Sequence, residues 1–171
     1  MLSSERIFLR PLEAEDLDFL YALENDPSIW GVSDTLAPVS RHLLRQYLDN
    51  ASADVYAVRQ LRLVICESAT RTSVGTLDIF EVDPMHQRAG VGITILQAFR
   101  QQGFAKTALE LLVPYAREVL RLHQIYCTIG ISNRPSQHLF TSVGFQLVGT
   151  RKEWLRTESG WEDVVEMQLM L

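Results

Sequence analysis

The stretch between residues 92 and 120 constrains the fold more than any other, because a strand, a glycine-containing turn and a helix follow one another in it. Residues 92–96 are apolar and β-branched, which is typical of a buried strand. The helix is indicated by apolar side chains at helical spacing: Phe104, Ala108, Leu111, Leu112, Tyr115 and Val119. Gly103 lies at the junction, where it can adopt a positive φ or let a ligand approach the backbone. The first amides of a helix have no intrahelical partner and lie at the positive end of its dipole, so this turn predicts an anion site suited to a pyrophosphate.

The rest of the chain alternates strands with helices and contains no linker, so we expect a single domain over residues 1–171. Strands are predicted at residues 6–10, 61–67, 74–82, 89–96, 124–131, 145–155 and 164–171. Helices are predicted at residues 13–25, from Ser40 onwards with Leu43, Leu44, Tyr47 and Leu48 buried, at 104–120 and at 132–142, with a loop at 26–39. Pro114 is predicted to bend its helix without ending it. The order β-α-α-β-β-β-α-β-α-β-β predicts a mixed α/β sheet.

Composition argues against several classes of function. The 171 residues are 47% apolar and 22% charged, as in a soluble globular protein. No apolar run approaches the roughly 20 residues of a membrane helix, and no signal region is seen, so we expect a cytoplasmic protein with reduced cysteines at Cys66 and Cys127. The formal charge is −5 without a lysine- or arginine-rich block, which argues against nucleic acid as a partner. His86 and His138 lack companions at metal-ligand spacing, so no metal site is predicted.

Two short motifs resemble those of a known family. Residues 100–105 fit R/Q-x-x-G-x-G/A, and residues 133–145 fit N-x-x-S-x-x-L-[YF]-x-x-x-G-F. Both are similar to motifs of the GCN5-related N-acetyltransferases. The likeness covers nearly the whole chain, because residues 6–11 resemble the family's first strand and residues 77–89 are similar to a strand and turn of bacterial spermidine N-acetyltransferases. Without this likeness, a helix-opening glycine is a weak signal and Asn133 can be an ordinary N-cap.

The resemblance implies a fold and a cosubstrate. The fold would be a mixed, mostly antiparallel sheet whose parallel middle pair, the strands of Gly92 and Gln124, splays apart. Acetyl-CoA would lie in that gap, with its pantetheine along the Gly92 strand and its pyrophosphate on the amides of residues 102–107. The cofactor-binding residues implied are Ile93, Ile95, Arg100, Gln102, Gly103, Phe104, Ala105, Lys106, Thr107, Asn133 and Ser136.

The resemblance also implies acetyl transfer to a primary amine, with a polyamine such as spermidine as the leading acceptor. Phe140 stands where the family often has a tyrosine that protonates the departing thiolate, and Gly90 stands where many relatives have a glutamate. An alkylamine with a pKa near 10.4 is only about 0.04% free base at pH 7, a penalty of roughly 4.6 kcal/mol. A carboxylate near the acyl group would hold the ammonium and accept its proton. Glu81 is the leading candidate, because the strand that carries it ends beside the expected acyl site.

Other residues are candidates for binding the acceptor. They are Asp26, Trp30, Asp34 and Asp83, with Glu24 and Asp78 as further carboxylates. Each carboxylate taken singly is more often a solvated surface charge. Two other functions stay open: acetylation of protein or peptide N-termini, and acyl-CoA binding without turnover, which the missing tyrosine makes credible. The sequence determines neither the amine nor whether the chain forms a homo-oligomer.

Overall fold

Seven strands form one sheet in the computed structural model, which describes residues 2–33, 37–50 and 54–171. They are β1 (Ile7–Pro11), β2 (Leu61–Glu67), β3 (Ser73–Asp83), β4 (Arg88–Ile95), β5 (Gln124–Gly130), β6 (Gln146–Thr157) and β7 (Gly160–Met170). Their order across the sheet is β1-β2-β3-β4-β5-β7-β6, and only the β4–β5 pair is parallel among these strands. The predicted mixed, mostly antiparallel sheet with a parallel pair in the middle is confirmed.

The helices are α1 (Leu17–Glu24), α2 (Pro27–Ser33), α3 (Arg41–Asp49), α4 (Val55–Val58), α5 (Phe104–Glu118) and α6 (Arg134–Ser142), with short 3-10 helices at Ala14–Asp16 and Gln97–Phe99. Ser40 caps α3 as predicted, because its hydroxyl accepts a hydrogen bond from the Leu43 amide. The prediction of a loop at residues 26–39 was wrong, since this segment contains α2, and α4 was not predicted. Pro27 is the first residue of α2, a position where a proline has no hydrogen bond to lose.

Two predicted helix faces need correction. The buried side chains of α5 are Phe104, Ala108, Leu109, Leu112 and Ala116. Val119, the residue after the end of α5 at Glu118, is 60% exposed, and Leu43 of α3 is 55% exposed. The helix continues through Pro114, so the proline does not end it, as predicted.

Strands β4 and β5 are paired at one end only. Their pairing stops at Gly90 of β4 and Tyr126 of β5. Beyond this point residues 91–95 continue along β3, and residues 127–130 continue along β7. The two strands therefore diverge and leave a gap in the middle of the sheet, as the resemblance implied.

Both faces of the sheet are covered. Leu63 and Ile65 of β2 belong to the core that includes the buried face of α5. Val64 and Cys66, which point to the other face of the same strand, are also fully buried. The sheet is therefore packed against a layer on each face at β2.

Candidate active site

The gap between β4 and β5 leads into a cavity of about 1730 Å³. Residues 91–94 of β4 form one wall and residues 126–130 of β5 form the other. Phe140 of α6 lines it and belongs to the same core as α5. Asp78 and Phe80 line it from the opposite face of β3, because they alternate with core residues of that strand. A linear ligand in the gap would therefore pass through the sheet.

The turn before α5 presents backbone amides. Gly103 has φ 82° and Gln101 has φ 60°, so the chain turns sharply through the left-handed region at both residues. The φ of Gly103 is disfavoured for a residue with a side chain, which explains the glycine at position 103. Gly103 supplies no side-chain cap, and its carbonyl accepts a hydrogen bond from the Thr107 amide at 3.1 Å. The amides of residues 104–106 thus form the positive end of a 15-residue helix.

Arg100 connects this turn to the rest of the fold. Its Nε donates to the carbonyl of Ile95 at 3.0 Å, and its Nη2 donates to Ser28 Oγ at 3.3 Å. The guanidinium therefore joins the end of β4 to α2. These protein contacts hold Arg100 beside the turn, and its contact with the cofactor remains an expectation from the motif.

A second cation, Arg6, lies beside the same turn. It donates to the carbonyl of Gln102, and its guanidinium carbon lies 4.9 Å from the centroid of the Phe104 ring. Lys106 is half exposed on the first turn of α5, with Nζ 3.8 Å from Glu110. The motif indicated Lys106 but not Arg6, whose contact joins residues 96 positions apart in the sequence.

The second motif forms the start of α6 and one side of the cavity. The side-chain oxygen of Asn133 accepts a hydrogen bond from the Ser136 amide at 3.2 Å, so Asn133 is the N-cap of the helix. Both residues line the cavity, as does Phe140. Phe140 is only 3% exposed and packs edge to face on Phe145, with ring centroids 4.9 Å apart. Its ring borders the cavity without offering a hydroxyl.

Glu81 lies on a bulge in β3. The register pairs Phe80 with Gly90 and then Asp83 with Arg88, so two residues of β3 oppose one residue of β4. Glu81 itself has φ 51°. A positive φ is uncommon for a residue with a side chain and is held only by its surroundings.

The bulge directs the Glu81 carboxylate into the cavity. The next residue, Val82, is 1% exposed and occupies the core position, whereas Glu81 lines the cavity. Its Oε2 accepts a hydrogen bond from the hydroxyl of Tyr126 at 2.5 Å. Tyr126 was not indicated by the sequence, because it reads as an ordinary residue of the β5 strand.

The ring of Phe80 occupies the space beside Gly90. A Cβ at position 90 would lie 2.2 Å from the ring, so a larger residue does not fit without movement. On its other side, the ring of Phe80 contacts the ring of Tyr126 edge to face, with an angle of 81° between the ring planes and centroids 6.5 Å apart. The space that a side chain at position 90 would need is thus taken by the ring of Phe80.

A cluster of three partly buried ions forms another part of the wall. Arg62 lies with Nε 2.5 Å from Asp78 Oδ1 and Nη1 2.6 Å from Glu24 Oε1, and all three residues line the cavity. Burial raises the pKa of Asp78, although the charge and hydrogen bond of Arg62 oppose this shift. The sequence indicated Glu24 and Asp78 but not Arg62. A charged residue within the apolar β2 strand was the available signal, since buried charges need partners.

Asp83 lines the cavity but is engaged in its own turn. Its Oδ1 accepts hydrogen bonds from the amides of Met85 at 3.1 Å and His86 at 3.0 Å, and its Oδ2 lies 3.4 Å from Arg88. The hydrogen bond from the His86 amide is the main cause of a lowered pKa for Asp83. Its carboxylate is therefore occupied by the protein itself.

The other predicted acceptor residues are not brought to the cavity. Asp26 accepts a hydrogen bond from the Ser28 amide at 2.9 Å, and Trp30 donates from Nε1 to the Glu24 carbonyl at 2.9 Å. Neither is among the described residues that line the cavity. Asp34 lies outside the described residues.

Two further observations concern the parts of the chain that the structure describes. In residues 2–33, 37–50 and 54–171, no group of three or more His, Cys, Asp and Glu side chains could hold a metal ion. Within these same ranges, no helix has the length and apolar character that crossing a membrane requires.

Comparison with known proteins gives consistent matches. A model of the acetyltransferase (GNAT) domain matches residues 6–146. The chain is 24% identical to a spermidine N(1)-acetyltransferase of Vibrio cholerae over 98% of this chain and 94% of that protein. It is 27% identical to the spermidine N(1)-acetyltransferase of Escherichia coli K12 over 87% of this chain and 77% of that protein. A crystal structure of the Vibrio cholerae spermidine N-acetyltransferase in complex with CoA and spermine has the same fold, with a TM-score of 0.88 and 24% identity over 98% of this chain and 96% of that one.

Proposed function

The chain belongs to the acetyltransferase (GNAT) domain family, and from this premise we propose that it acetylates a primary amine of a polyamine such as spermidine. Acetyl-CoA-dependent N-acetyl transfer is the activity of the family. The choice of acceptor is our proposal, because the two relatives named for spermidine are only 24% and 27% identical.

The charge of the cavity carries the proposal. Among the residues that the structure describes, its charged lining consists of six carboxylates and four guanidiniums: Glu24, Asp78, Glu81, Asp83, Glu162 and Glu166, against Arg59, Arg62, Arg88 and Arg151. Carboxylates therefore exceed guanidiniums by two. A concave site with an excess of negative charge concentrates cations, and a polyamine carries several. Aromatic side chains, among them Phe80, Tyr126 and Trp154, line the same cavity and suit the alkyl segments between the ammonium groups.

Among these carboxylates Glu81 is the best placed to accept a proton. Asp78 is bound to Arg62, and Asp83 to Arg88 and its own turn. Glu81 instead has a neutral hydroxyl as its hydrogen-bond donor. It is therefore not neutralised by that donor and can hold an ammonium and accept its proton, directly or through a water molecule.

The cosubstrate would enter from the α5 side. Its pyrophosphate would lie on the amides that begin α5 after Gly103, with Arg6 and Lys106 adding positive charge. Its pantetheine would extend along the edge of residues 91–95, and Asn133 and Ser136 would contact it from the other side. The thioester would then lie where β4 and β5 separate, within reach of the Glu81 side of the cavity.

The transfer would be direct. Glu81 removes one proton from the ammonium, and the lone pair of the amine nitrogen forms a bond to the thioester carbonyl carbon. The nitrogen then loses a second proton to solvent as the carbon–sulfur bond breaks and releases the CoA thiolate, which leaves a neutral amide. Phe140 has no proton to give, so we expect the thiolate to be protonated by solvent.

Thiol release from acetyl-CoA with a panel of acceptors tests this function. We expect spermidine and diamines to be at least about tenfold better, by kcat/KM, than an alkyl monoamine, because each further ammonium adds an attraction to the anionic wall. Turnover with peptide N-termini alone would contradict the polyamine assignment. CoA binding in a calorimeter without turnover of any amine would instead indicate a binding domain.

Replacing the base tests the mechanism. Glu81→Gln should keep its affinity for CoA and lose about 10²- to 10⁴-fold in kcat/KM for the amine. The loss should shrink as the pH approaches the pKa of the amine, since solvent then provides the free base. Glu118→Gln is the matched control, because Glu118 is a carboxylate at the end of α5 and is 66% exposed. This variant should change neither the affinity for CoA nor kcat/KM for the amine. Superposed pH profiles of Glu81→Gln and wild type would exclude Glu81 as the base.

A further inference from the structure

Tyr126 occupies a special place in the cavity. It is the last residue of β5 that pairs with β4, opposite Gly90, so its side chain stands where the two strands begin to separate. Tyr126 points to the opposite face of β5 from the core residues Ile125 and Cys127. Asp78 and Phe80 lie on the same face of the sheet as Tyr126. Tyr126 therefore lies on the acceptor side of the proposed reaction.

The side chain of Tyr126 is fixed at both ends. Its ring packs edge to face on Phe80, and the ring of Phe80 in turn fills the space that the missing Cβ of Gly90 leaves. Its hydroxyl donates to Glu81 Oε2 at 2.5 Å. The hydroxyl is thus presented to Glu81 from a packed aromatic pair.

Glu81 needs such a partner more than an ordinary strand residue does. It has φ 51° and sits on a bulge, so regular strand pairing does not hold it. Glu81 is exposed, and its carboxylate reaches the cavity from this irregular stretch of backbone. A flexible carboxylate would spend only part of its time where an ammonium could meet it.

We propose that Tyr126 is a positioning residue for acceptor deprotonation: it holds Glu81 by Oε2, so that Oε1 is directed at the amine that attacks the thioester. This inference rests on the proposed function, with Glu81 as the base. The hydroxyl gives no proton away in the reaction; the proton of the ammonium goes to Glu81, and the nitrogen lone pair forms the new bond to carbon.

The electrostatic surroundings keep Tyr126 in the donor form. Burial raises its pKa to about 12, the hydrogen bond and charge of Glu81 add to this, and the nearby Arg88 and Arg151 oppose it. The hydroxyl therefore stays protonated through the pH range of the assay. Glu81, Arg88 and Arg151, on β3, β4 and β6, are the charged groups that shift it.

A double-mutant cycle tests the inference. The variants are Tyr126→Phe, Glu81→Gln and the combination, each assayed for kcat/KM with spermidine from neutral to alkaline pH and for KM with acetyl-CoA. We expect Tyr126→Phe to lower kcat/KM for the amine about 10-fold or more and to leave the KM for acetyl-CoA unchanged. The loss in kcat/KM should become smaller as the pH rises. The combined variant should be no worse than Glu81→Gln alone, because residues that act as a unit are not additive.

Tyr56→Phe is the matched control, since it removes a hydroxyl that donates to the Leu120 carbonyl at 3.2 Å and does not line the cavity. It should leave the kinetics unchanged. Multiplicative effects of the two single changes, or a Tyr126→Phe variant within twofold of wild type, would overturn the role of Tyr126 while the proposed function stands. A wild-type protein without amine-dependent thiol release would overturn both.

Discussion

A methyl group at position 90 probes the packing on which the acceptor side depends. The added Cβ of Gly90→Ala would lie 2.2 Å from Cε2 of Phe80, 2.6 Å from Cζ and 2.7 Å from Cδ2. Ordinary van der Waals contact begins at 3.4 Å, so the ring has to retreat by about 1.2 Å, the difference between 3.4 and 2.2 Å. That movement pushes Phe80 away from β4 and changes its edge contact with Tyr126.

The expected cost follows from where the ring can go. Forcing an extra methyl into a packed core destabilises a protein by roughly 1–3 kcal/mol. Phe80 is half-buried and borders the cavity, so it can move into open space, and the lower part of this range applies. We expect Gly90→Ala to lower the free energy of unfolding by about 1–2 kcal/mol, which corresponds to a fall in Tm of roughly 2–8 °C for a chain of this size.

Urea unfolding of matched variants measures this cost. Gly92→Ala lies two residues along the same strand, and its Cβ would meet Phe80 only at 3.6 Å and Asp78 at 3.9 Å, so it should change stability by under about 0.5 kcal/mol. In a Phe80→Ala background the cost of Gly90→Ala should vanish. Equal urea midpoints for Gly90→Ala and Gly92→Ala would refute the reasoning.

Three further outcomes are expected. Gly103→Glu should abolish CoA binding by calorimetry in a folded protein, because a carboxylate blocks and repels the pyrophosphate, whereas Gly160→Glu, at φ 133° with nothing within 4 Å, should still bind. Phe140→Tyr should leave turnover unchanged or raise it up to about 10²-fold; a folded, CoA-binding but inactive variant would show that the ring itself contacts a reactant. Asp16→Asn should destabilise the fold by about 3 kcal/mol at pH 7, since it leaves Arg10 without its buried partner. Burial raises the pKa of Asp16, but hydrogen bonds from Arg10 and a backbone amide lower it more, so this stability is present above about pH 4 and lost as the pH falls through the folded-state pKa. The free energies of unfolding of wild type and variant should therefore differ less at pH 3 than at pH 7.

The fold could be predicted because its elements follow local patterns. The β2 strand was predicted with its observed bounds, Leu61–Glu67, since a run of alternating and apolar residues is bounded there by turn residues. The helix α2 was missed because Pro27 and Gly31 were interpreted as signals of a loop. A proline at the first helical position satisfies the same local preferences, so composition alone does not separate the two cases.

The turn and the helix cap expected to bind the cosubstrate were easier to predict than the contacts on the other side of the cavity, for a physical reason. The turn at Gly103 and the cap at Asn133 are each built from residues a few positions apart, and a motif records such spacing. Arg62 and Tyr126 matter only through partners 16 to 45 positions away, Asp78, Glu24 and Glu81. No local pattern contains those pairings.

The orientation of Glu81 shows how a side chain that lines the cavity can depart from a periodic pattern. Strict alternation along β3 places residue 81 on the same face as Leu77 and Ile79, which belong to the core. The bulge moves Val82 into that core position and leaves Glu81 on the cavity side. Whether a bulge forms depends on how β3 pairs with β4, and that register is decided by the whole sheet. A carboxylate that a regular strand would have buried therefore faces the cavity, where its Oε2 accepts the hydrogen bond from the Tyr126 hydroxyl.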